Sequence, residues 1–182
     1  MVLGHDYIVY CGNHRTYKNL DRLIRGYAQS QLPSAGVRLL LTGKRNEALA
    51  ATAQEVGVSD KVVFTGFLPA ENIPKLYRSA KAIAYPSLQE GFGLPILEAY
   101  HSGVPIVTSN ITSMPEVAGD GAILVDPYSI EEIRDGLNKA VFDEAARRAL
   151  IKRGFRRAND FGWDKSAAKL WGIARKASLG GS

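Results

Sequence analysis

The chain has 182 residues, enough for one domain with its own core or for two small ones. Apolar residues make up 46% of it and charged residues 23%, a globular composition that excludes a disordered or fibrous protein. The net charge of +5 is unevenly distributed, since residues 147–176 hold ten basic and two acidic side chains, and this argues against a uniformly basic nucleic-acid-binding protein.

Short apolar runs rich in β-branched residues alternate along the chain with amphipathic stretches. We predict strands over 7–11, 37–42, 61–65, 82–85, 105–109 and 122–125. Helical patterns lie between and after them, over 20–28, 46–56, 73–79, 94–101, 130–142, 144–157 and 165–177. Most strand runs are apolar at successive positions, which is typical of strands buried on both faces of a parallel sheet.

This alternation predicts an α/β fold, a Rossmann-like doubly wound parallel sheet of about six strands with extra C-terminal helices. No Pro-, Gly- or Ser-rich linker divides the chain, so we predict one domain over residues 1–178. Residues 179–182 are expected to be a flexible tail or a cloning remnant. Ligands of such sheets bind outside the carboxyl ends of the strands, where the strand order reverses.

The single cysteine, Cys11, excludes an internal disulfide and a thiolate metal cluster, and the three histidines show no metal-ligand spacing. No apolar run approaches the roughly 18 residues of a membrane span, and residues 1–5 are too few for a signal peptide. We therefore expect a cytoplasmic protein without a metal or a cofactor. The basic segment 147–176 has two interpretations, a solvated helix face or a patch that faces an anionic membrane or an acidic partner.

The most specific stretch, PSLQEGFGLPILEA over residues 86–99, directly follows a predicted buried strand. Gly91 and Gly93 allow the backbone to approach a ligand closely, and Pro95 suits the first turn of a helix. The free amides and the dipole at that helix start favour an anion such as a diphosphate. Glu90 at the loop entrance and Glu98 about one turn into the helix can then face one cavity from different heights.

Glu98 interrupts a helix start that is otherwise mostly apolar, where an unpaired buried carboxylate would be costly. A ribose 2′,3′-diol would supply the two hydroxyl donors that such a carboxylate needs. The alternative is that Glu98 is merely exposed on the helix surface. Taken alone, the spacing of the two glutamates does not decide between these interpretations.

Joined to the Gly-Phe-Gly-Leu-Pro segment, the Glu-x7-Glu spacing of Glu90 and Glu98 resembles the signature of glycosyltransferase family 4, retaining enzymes of the GT-B fold. The resemblance covers nearly the whole chain, and its members nearest in pattern are bacterial surface-polysaccharide transferases. The other matching segments are 10–12, 18–20, 63–68, 102–107, 114–120, 125–127 and 161–163.

The resemblance implies a role for each matching residue. Glu90 would contact hydroxyls of the donor sugar, Glu98 would bind the ribose diol, and Lys18 would neutralise the diphosphate and stabilise the leaving group. Glu90 and Lys18 would thus act in catalysis, and residues 67–68 match the segment that lines the base. The implied donor-binding set is Gly12, Arg15, Lys18, Phe67, Leu68, Glu90, Gly91, Phe92, Gly93, Leu94 and Glu98.

One position departs from the family pattern. Many members carry arginine directly after the first glycine, and here that position is Asn13. Arg15 either supplies the second phosphate-binding cation or is a solvated loop residue. His14 is expected to be a loop residue rather than a catalytic base, Cys11 a core residue, and Glu116 part of a local cap or turn.

In the family, the acceptor site and the catalytic histidine lie mainly in an N-terminal domain, which would be the partner of this one. We therefore expect the whole protein to transfer a hexose from a nucleotide sugar to a glycan or lipid-linked acceptor, and the isolated chain to be inactive. GDP-mannose is the first candidate donor and a UDP-sugar the second. The inner face of the cytoplasmic membrane is the expected location if the basic segment binds lipid.

Two other functions compete with this one. A nicotinamide-dependent oxidoreductase fails, because residues 12–17 are not Gly-x-Gly-x-x-Gly and no acid follows at the ribose position. A non-catalytic nucleotide-sugar-binding module stays open, and Asn13 in place of arginine mildly favours it.

Overall fold

The computed structural model describes residues 4–179, and their side chains as far as residue 175. Its strands are β1 (Tyr7–Tyr10), β2 (Arg38–Leu41), β3 (Val62–Phe64), β4 (Ala82–Tyr85), β5 (Ile106–Ser109) and β6 (Ile123–Val125). Its helices are α1 (Leu20–Gln29), α2 (Glu47–Glu55), α3 (Ile73–Arg78), α4 (Leu94–Ser102), α5 (Met114–Ala118), α6 (Ile130–Phe142), α7 (Glu144–Ala158) and α8 (Trp163–Leu179). Short 3-10 turns cover Thr16–Lys18 and Ala70–Asn72.

The six strands form one sheet in the order β3-β2-β1-β4-β5-β6, and every neighbouring pair is parallel. Ile8 of β1 is level with Leu39 on one side and with Ala82 on the other. The strand order therefore reverses between β1 and β4, which confirms the predicted doubly wound sheet. The carboxyl ends of these two strands frame the crevice where ligands of such folds bind.

The core lies on both faces of the sheet, because the strand residues are buried in succession rather than alternately. All four residues of β1 and of β4 are buried, as expected for inner strands of a parallel sheet. Helices α1, α2 and α6 pack together on one face, and α3, α5 and α7 pack around α4 on the other. Helix α1 presents Leu23, Ile24 and Tyr27 to the core at helical spacing.

Several boundaries differ from those predicted. Helix α5 has only five residues, too short for a periodic pattern, and Glu116 lies in its first turn without forming a side-chain cap bond. Helix α8 begins at Trp163 rather than 165, because the Ser166 amide donates to the Gly162 carbonyl at 3.0 Å. Residue 179 of the predicted tail is the last residue of α8, and 180–182 lie outside the described residues.

The two C-terminal helices differ in their packing. Helix α7 lies against α4, whereas all described side chains of α8 are exposed. Among them are four large apolar side chains: Trp163, Leu170, Trp171 and Ile173. In the part of the chain that the structure describes, no helix combines the length and apolar character needed to cross a membrane.

Candidate functional site

The loop after β1 is shaped by a close approach of its own backbone. Gly12 has a φ of +152°, and a Cβ added there would lie 2.5 Å from the Tyr10 hydroxyl. Its amide donates to Thr42 Oγ1 at 3.1 Å, and His14 Nε2 lies 2.7 Å from the Thr42 carbonyl oxygen. Because a carbonyl only accepts, this nitrogen carries the proton, and His14 holds the loop as a structural residue.

Asn19 ties three loops together at the floor of the crevice. It adopts the left-handed conformation between the 3-10 turn and α1, with a φ of 61°. Its buried Nδ2 donates to the carbonyl of Pro86 at 3.0 Å and to that of Pro127 at 2.7 Å. These bonds join the loop after β1 to those after β4 and β6, and they fix the position of the adjacent Lys18.

Lys18, Tyr85 and Glu90 form a closed hydrogen-bonded triad at the carboxyl ends of β1 and β4. Lys18 Nζ donates to Glu90 Oε1 at 2.6 Å and to the Tyr85 hydroxyl at 2.8 Å. The Tyr85 hydroxyl donates in turn to Glu90 Oε1 at 2.7 Å. The side chains of Lys18 and Glu90 are only 9% and 13% exposed, so water screens this ion pair weakly.

The triad leaves part of its hydrogen-bonding capacity unused. An ammonium has three donors and Lys18 uses two of them on the triad, while Glu90 Oε2 accepts no bond from the described residues. Burial, followed by the hydrogen bond to Glu90, raises the pKa of Tyr85, so this phenol stays neutral and keeps donating. One cationic donor and one carboxylate oxygen thus remain for a ligand.

Four consecutive main-chain amides, those of residues 91–94, make no hydrogen bond to any described group. They lie at the start of α4, where Gly93 has a φ of +105° and caps the helix without a side chain. The helix dipole adds partial positive charge at this end. Such a set of unpaired amides is suited to bind oxyanions.

Two serine hydroxyls hold this loop from behind. Ser109 Oγ donates to the Ser87 carbonyl at 2.5 Å, and Ser113 Oγ donates to the Glu90 carbonyl at 3.1 Å. From the other side, the Leu88 amide donates to the Tyr17 carbonyl at 2.7 Å. The loop that carries Glu90 is therefore positioned by β5, by the segment before α5 and by the loop after β1.

Glu98 lies on an exposed part of α4, as the alternative interpretation of its spacing expected. It lines a hollow of about 420 Å³ between α3 and α4, together with Ile73, Tyr77 and Leu94. No described residue forms an ion pair with its carboxylate. Glu98 is thus accessible to a ligand from the hollow rather than buried in the helix interface.

The loop after β3 carries Phe67 and Leu68, the two residues that the resemblance assigns to the base. Phe67 is 85% exposed, whereas Leu68 lines a separate hollow of about 320 Å³ between β3 and α3. Gly66 is joined to Gly43 by two backbone hydrogen bonds of 3.0 Å, which connect the loops after β2 and β3.

Phe92 at the tip of the loop packs edge-on against Phe161, with the ring centroids 5.9 Å apart. Phe161 in turn lies under the guanidinium of Arg157 at 4.9 Å. The turn between α7 and α8 therefore supports the same loop that presents the free amides.

Arg15 and Asn13 lie side by side at the mouth of the crevice. The Asn13 carbonyl accepts from the Tyr10 hydroxyl at 2.7 Å, and its Oδ1 accepts from the Arg15 amide at 3.3 Å. The Arg15 side chain is exposed and has no ion pair with a described residue. Within residues 4–179, no group of three or more His, Cys, Asp or Glu side chains is arranged to hold a metal ion.

Much of the C-terminal basic charge is used within the protein. Arg157 donates to the carbonyls of Glu116 and Val117 and to Asp160 Oδ2 at 2.9 Å. Arg147 donates to the carbonyls of Lys81 and Ala140. These arginines satisfy carbonyl groups of other segments, which a pattern of basic residues in the sequence does not reveal.

Comparison with known proteins identifies the family of the chain. The family of glycosyl transferases group 1 matches residues 3–157. The chain belongs to this family. The matched residues include the whole sheet, its crevice and nearly all of α7, whereas the exposed α8 lies after the last matched residue.

This glycosyltransferase chain is 35% identical over 165 residues to O-antigen chain mannosyltransferase B of Escherichia coli. The match covers 87% of the chain and 42% of that protein, so the chain spans less than half the length of this curated relative.

Solved structures of GT-B glycosyltransferases share the fold. Sucrose-phosphate synthase from Thermosynechococcus elongatus matches with a TM-score of 0.84 at 24% identity, over 97% of this chain and 46% of that one. Anabaena Alr3699/HepE in complex with UDP and glucose matches with a TM-score of 0.81 at 21% identity, over 96% of this chain and 48% of that one. At these identities the likeness establishes the fold alone.

The structure brings Lys18, Glu90 and the amides of residues 91–94 together at the crevice. Gly12 lies against the Tyr10 hydroxyl, and the Tyr10 ring stacks on that of Tyr85 with the ring centroids 5.9 Å apart. Sequence reasoning missed Asn19 and Tyr85. Tyr85 ends a buried strand and therefore looks like a core residue. For Asn19, the only signal in the sequence is its position directly after Lys18.

Proposed function

We propose that the chain is the donor-binding domain of a retaining glycosyltransferase of family 4, and that the crevice between β1 and β4 holds a nucleotide diphosphate sugar. The observation that carries this proposal is the juxtaposition of four unpaired amides with the unused donor of Lys18 and the unused oxygen of Glu90. A diphosphate next to a sugar hydroxyl matches that set in charge and in hydrogen-bonding type.

Each of these residues would bind a different part of the donor. The amides of residues 91–94 and Lys18 hold phosphate oxygens, and Glu90 Oε2 accepts from a hydroxyl of the sugar. As negative charge builds on the leaving diphosphate, the lysine and the dipole of α4 stabilise it. Glu98 accepts from the ribose diol, and the exposed Phe67 contacts the base, whereas Leu68 lies in a separate hollow. Arg15 supplies the second cation in place of the arginine that many family members carry at the position of Asn13.

Mannose from GDP-mannose is the proposed sugar, by analogy with the mannosyltransferase relative, and a UDP-sugar is the second candidate. The UDP in the Anabaena neighbour supports nucleotide binding in this fold. A thermal-shift panel of GDP, UDP, ADP and their sugars tests the class. A shift with none of them at millimolar concentration would contradict the proposal.

The role of Glu98 has its own test by calorimetry with the nucleotide that binds most tightly. Glu98→Ala should weaken binding by about tenfold, because one charge-assisted bond is worth about 1.5 kcal/mol. Glu47→Ala, which removes an exposed helical glutamate on α2, is the matched control and should leave binding unchanged. Equal affinity of the Glu98→Ala variant and the wild type would reject the ribose contact.

The proposed partner is an N-terminal acceptor domain, without which the isolated chain transfers no sugar. The exposed apolar side chains of α8, including Trp163 and Trp171 at 88% and 74% exposure, suit packing against such a domain. Assays of hexose transfer by the isolated chain should give no product. Turnover at a rate typical of a whole enzyme would contradict this.

Membrane contact through residues 147–176, with a cytoplasmic location at the inner membrane face, is a further proposal. It rests on the exposed basic residues of α7 and α8 that are not used in the contacts of Arg147 and Arg157, such as Lys152 and Lys169. Co-sedimentation with anionic vesicles tests it, and absence of binding at low salt would contradict it.

A non-catalytic nucleotide-sugar-binding module is the second candidate function, and Asn13 in place of arginine favours it. The reading frame of the parent gene distinguishes the two, because a catalytic protein requires an N-terminal domain before this one.

A further inference from the structure

The hydroxyl of Tyr77 is buried without a partner. The side chain, on α3, is 1% exposed, and its oxygen makes no hydrogen bond with any described group. Buried tyrosine hydroxyls are nearly always paired, since an unpaired polar group loses its bonds to water and gains none in return. The side chain also lines the hollow that contains Glu98.

Two ionisable groups lie near this hydroxyl. Burial most of all, and then the proximity of Cys11 and Glu98, raises the pKa of Tyr77, so the phenol is neutral and is available as a donor. Burial also raises the pKa of Cys11 to about 11, so that its sulfur is a neutral thiol and a weak acceptor. The carboxylate of Glu98 is the only strong acceptor of the two.

We propose that Tyr77 is the positioning residue for Glu98, and that its hydroxyl donates to the Glu98 carboxylate when a nucleotide ribose occupies the hollow. This rests on the proposed function of the crevice. Glu98 is exposed on α4 and no cation among the described side chains pairs with it, so a bond from Tyr77 to one oxygen would orient the other oxygen towards the ribose diol. A hydroxyl-to-carboxylate bond is charge-assisted and therefore strong enough to select one rotamer.

The test is a double-mutant cycle read with two ligands. The probes are whichever of GDP, UDP and ADP binds the wild-type chain most tightly, and the 2′,3′-dideoxy form of the same nucleotide. Tyr77→Phe should weaken binding of the ribonucleotide about fivefold and leave the dideoxy form unchanged. In the Glu98→Ala background, Tyr77→Phe should have no further effect, because the bond it removes is already absent.

Stability provides the control. Tyr77→Phe removes a hydroxyl that is unbonded in the free chain, so the midpoint of thermal unfolding should not fall. Tyr27→Phe is the matched variant on the other face of the sheet. Its hydroxyl donates to the Val37 carbonyl at 2.7 Å, so its loss should lower the unfolding midpoint without changing the preference for ribose.

The outcomes separate this inference from the function on which it rests. If Glu98→Ala weakens the ribonucleotide but Tyr77→Phe does not, the positioning role is overturned and the ribose site stands. If the effects of the two substitutions simply add, Tyr77 acts independently of Glu98, and the inference is again overturned. If neither nucleotide form binds, or Glu98→Ala has no effect, both the ribose site and the inference fail.

Discussion

The crevice between β1 and β4 and the helices α7 and α8 are both rich in charge, but they use it differently. In the crevice, Lys18 and Glu90 form one ion pair with side chains 9% and 13% exposed, and each retains unused hydrogen-bonding capacity. Arg156 of α7 lies 3.9 Å from Asp120, which follows α5, and both of these side chains are 69% exposed. A buried pair is costly to break, whereas an exposed pair contributes little.

The difference shows that charge density alone does not indicate a binding site. The basic run of residues 147–176 looks like an interaction surface, yet Arg147 and Arg157 are directed at carbonyl groups of the same domain. The crevice has fewer charges, but they lie beside the amides of residues 91–94, which no other described group satisfies. Unused hydrogen-bonding capacity next to a buried ion pair distinguishes the crevice from the basic helices.

The largest effect on stability is expected at the buried pair of Lys18 and Glu90, which gives the strongest test of the difference between the crevice and the basic helices. Lys18→Ala should lower the free energy of unfolding by about 3 kcal/mol, because it leaves Glu90 largely buried beside an emptied site. Urea unfolding followed by circular dichroism measures this. Lys18→Met with Glu90→Gln is the control, and it should recover most of the loss because no unpaired charge remains. A loss below 1 kcal/mol, on the order of an exposed pair, would place the Lys18–Glu90 pair in the same class as the exposed one.

Most of the fold could be predicted from the sequence because each strand is a run of successive apolar residues bounded by turn residues. All six predicted runs contain a strand, and α6 covers the predicted 130–142. Helix α5 was missed because five residues after Ser113 cannot show a helical period.

The site was less predictable, because its central contact depends on topology. Lys18 and Glu90 were each singled out, but as ligands of different parts of a donor. Their pairing across 72 residues requires β1 and β4 to be neighbours, which no local pattern encodes. The role of Arg157 was hidden for a related reason, since its targets are main-chain carbonyls, which every residue has.

The amide cradle of residues 91–94 gives the next largest effect. Gly93→Ala should cost about 2 kcal/mol, because a side chain is strained at a φ of +105° and its Cβ would lie 3.1 Å from Ile96 Cδ1. Gly91→Ala is a close control, since nothing lies within 4 Å of a Cβ there. Both are measured by urea unfolding, and equal stabilities would show that the cradle is not conformationally constrained.

In the basic region, a larger effect is expected at Arg157, which donates to two carbonyls and to Asp160. Arg157→Ala should lower the free energy of unfolding by about 1.5 kcal/mol, because the carbonyls of Glu116 and Val117 lose a charged donor. Arg148→Ala, which removes a side chain 71% exposed on the same helix, should have almost no effect. Similar losses in both variants would mean that helix propensity, rather than these contacts, accounts for the change.

The smallest loss of stability is expected at the exposed pair of Arg156 and Asp120. Arg156→Ala should change the free energy of unfolding by less than about 0.5 kcal/mol, since the pair with Asp120 is exposed and long. Added salt should abolish whatever difference remains at low ionic strength, because solvent ions screen exposed charges. The loss in Lys18→Ala, by contrast, should persist in salt, because ions cannot enter around a pair that is almost fully covered. If salt reduced both losses alike, burial would not explain the difference between the two regions.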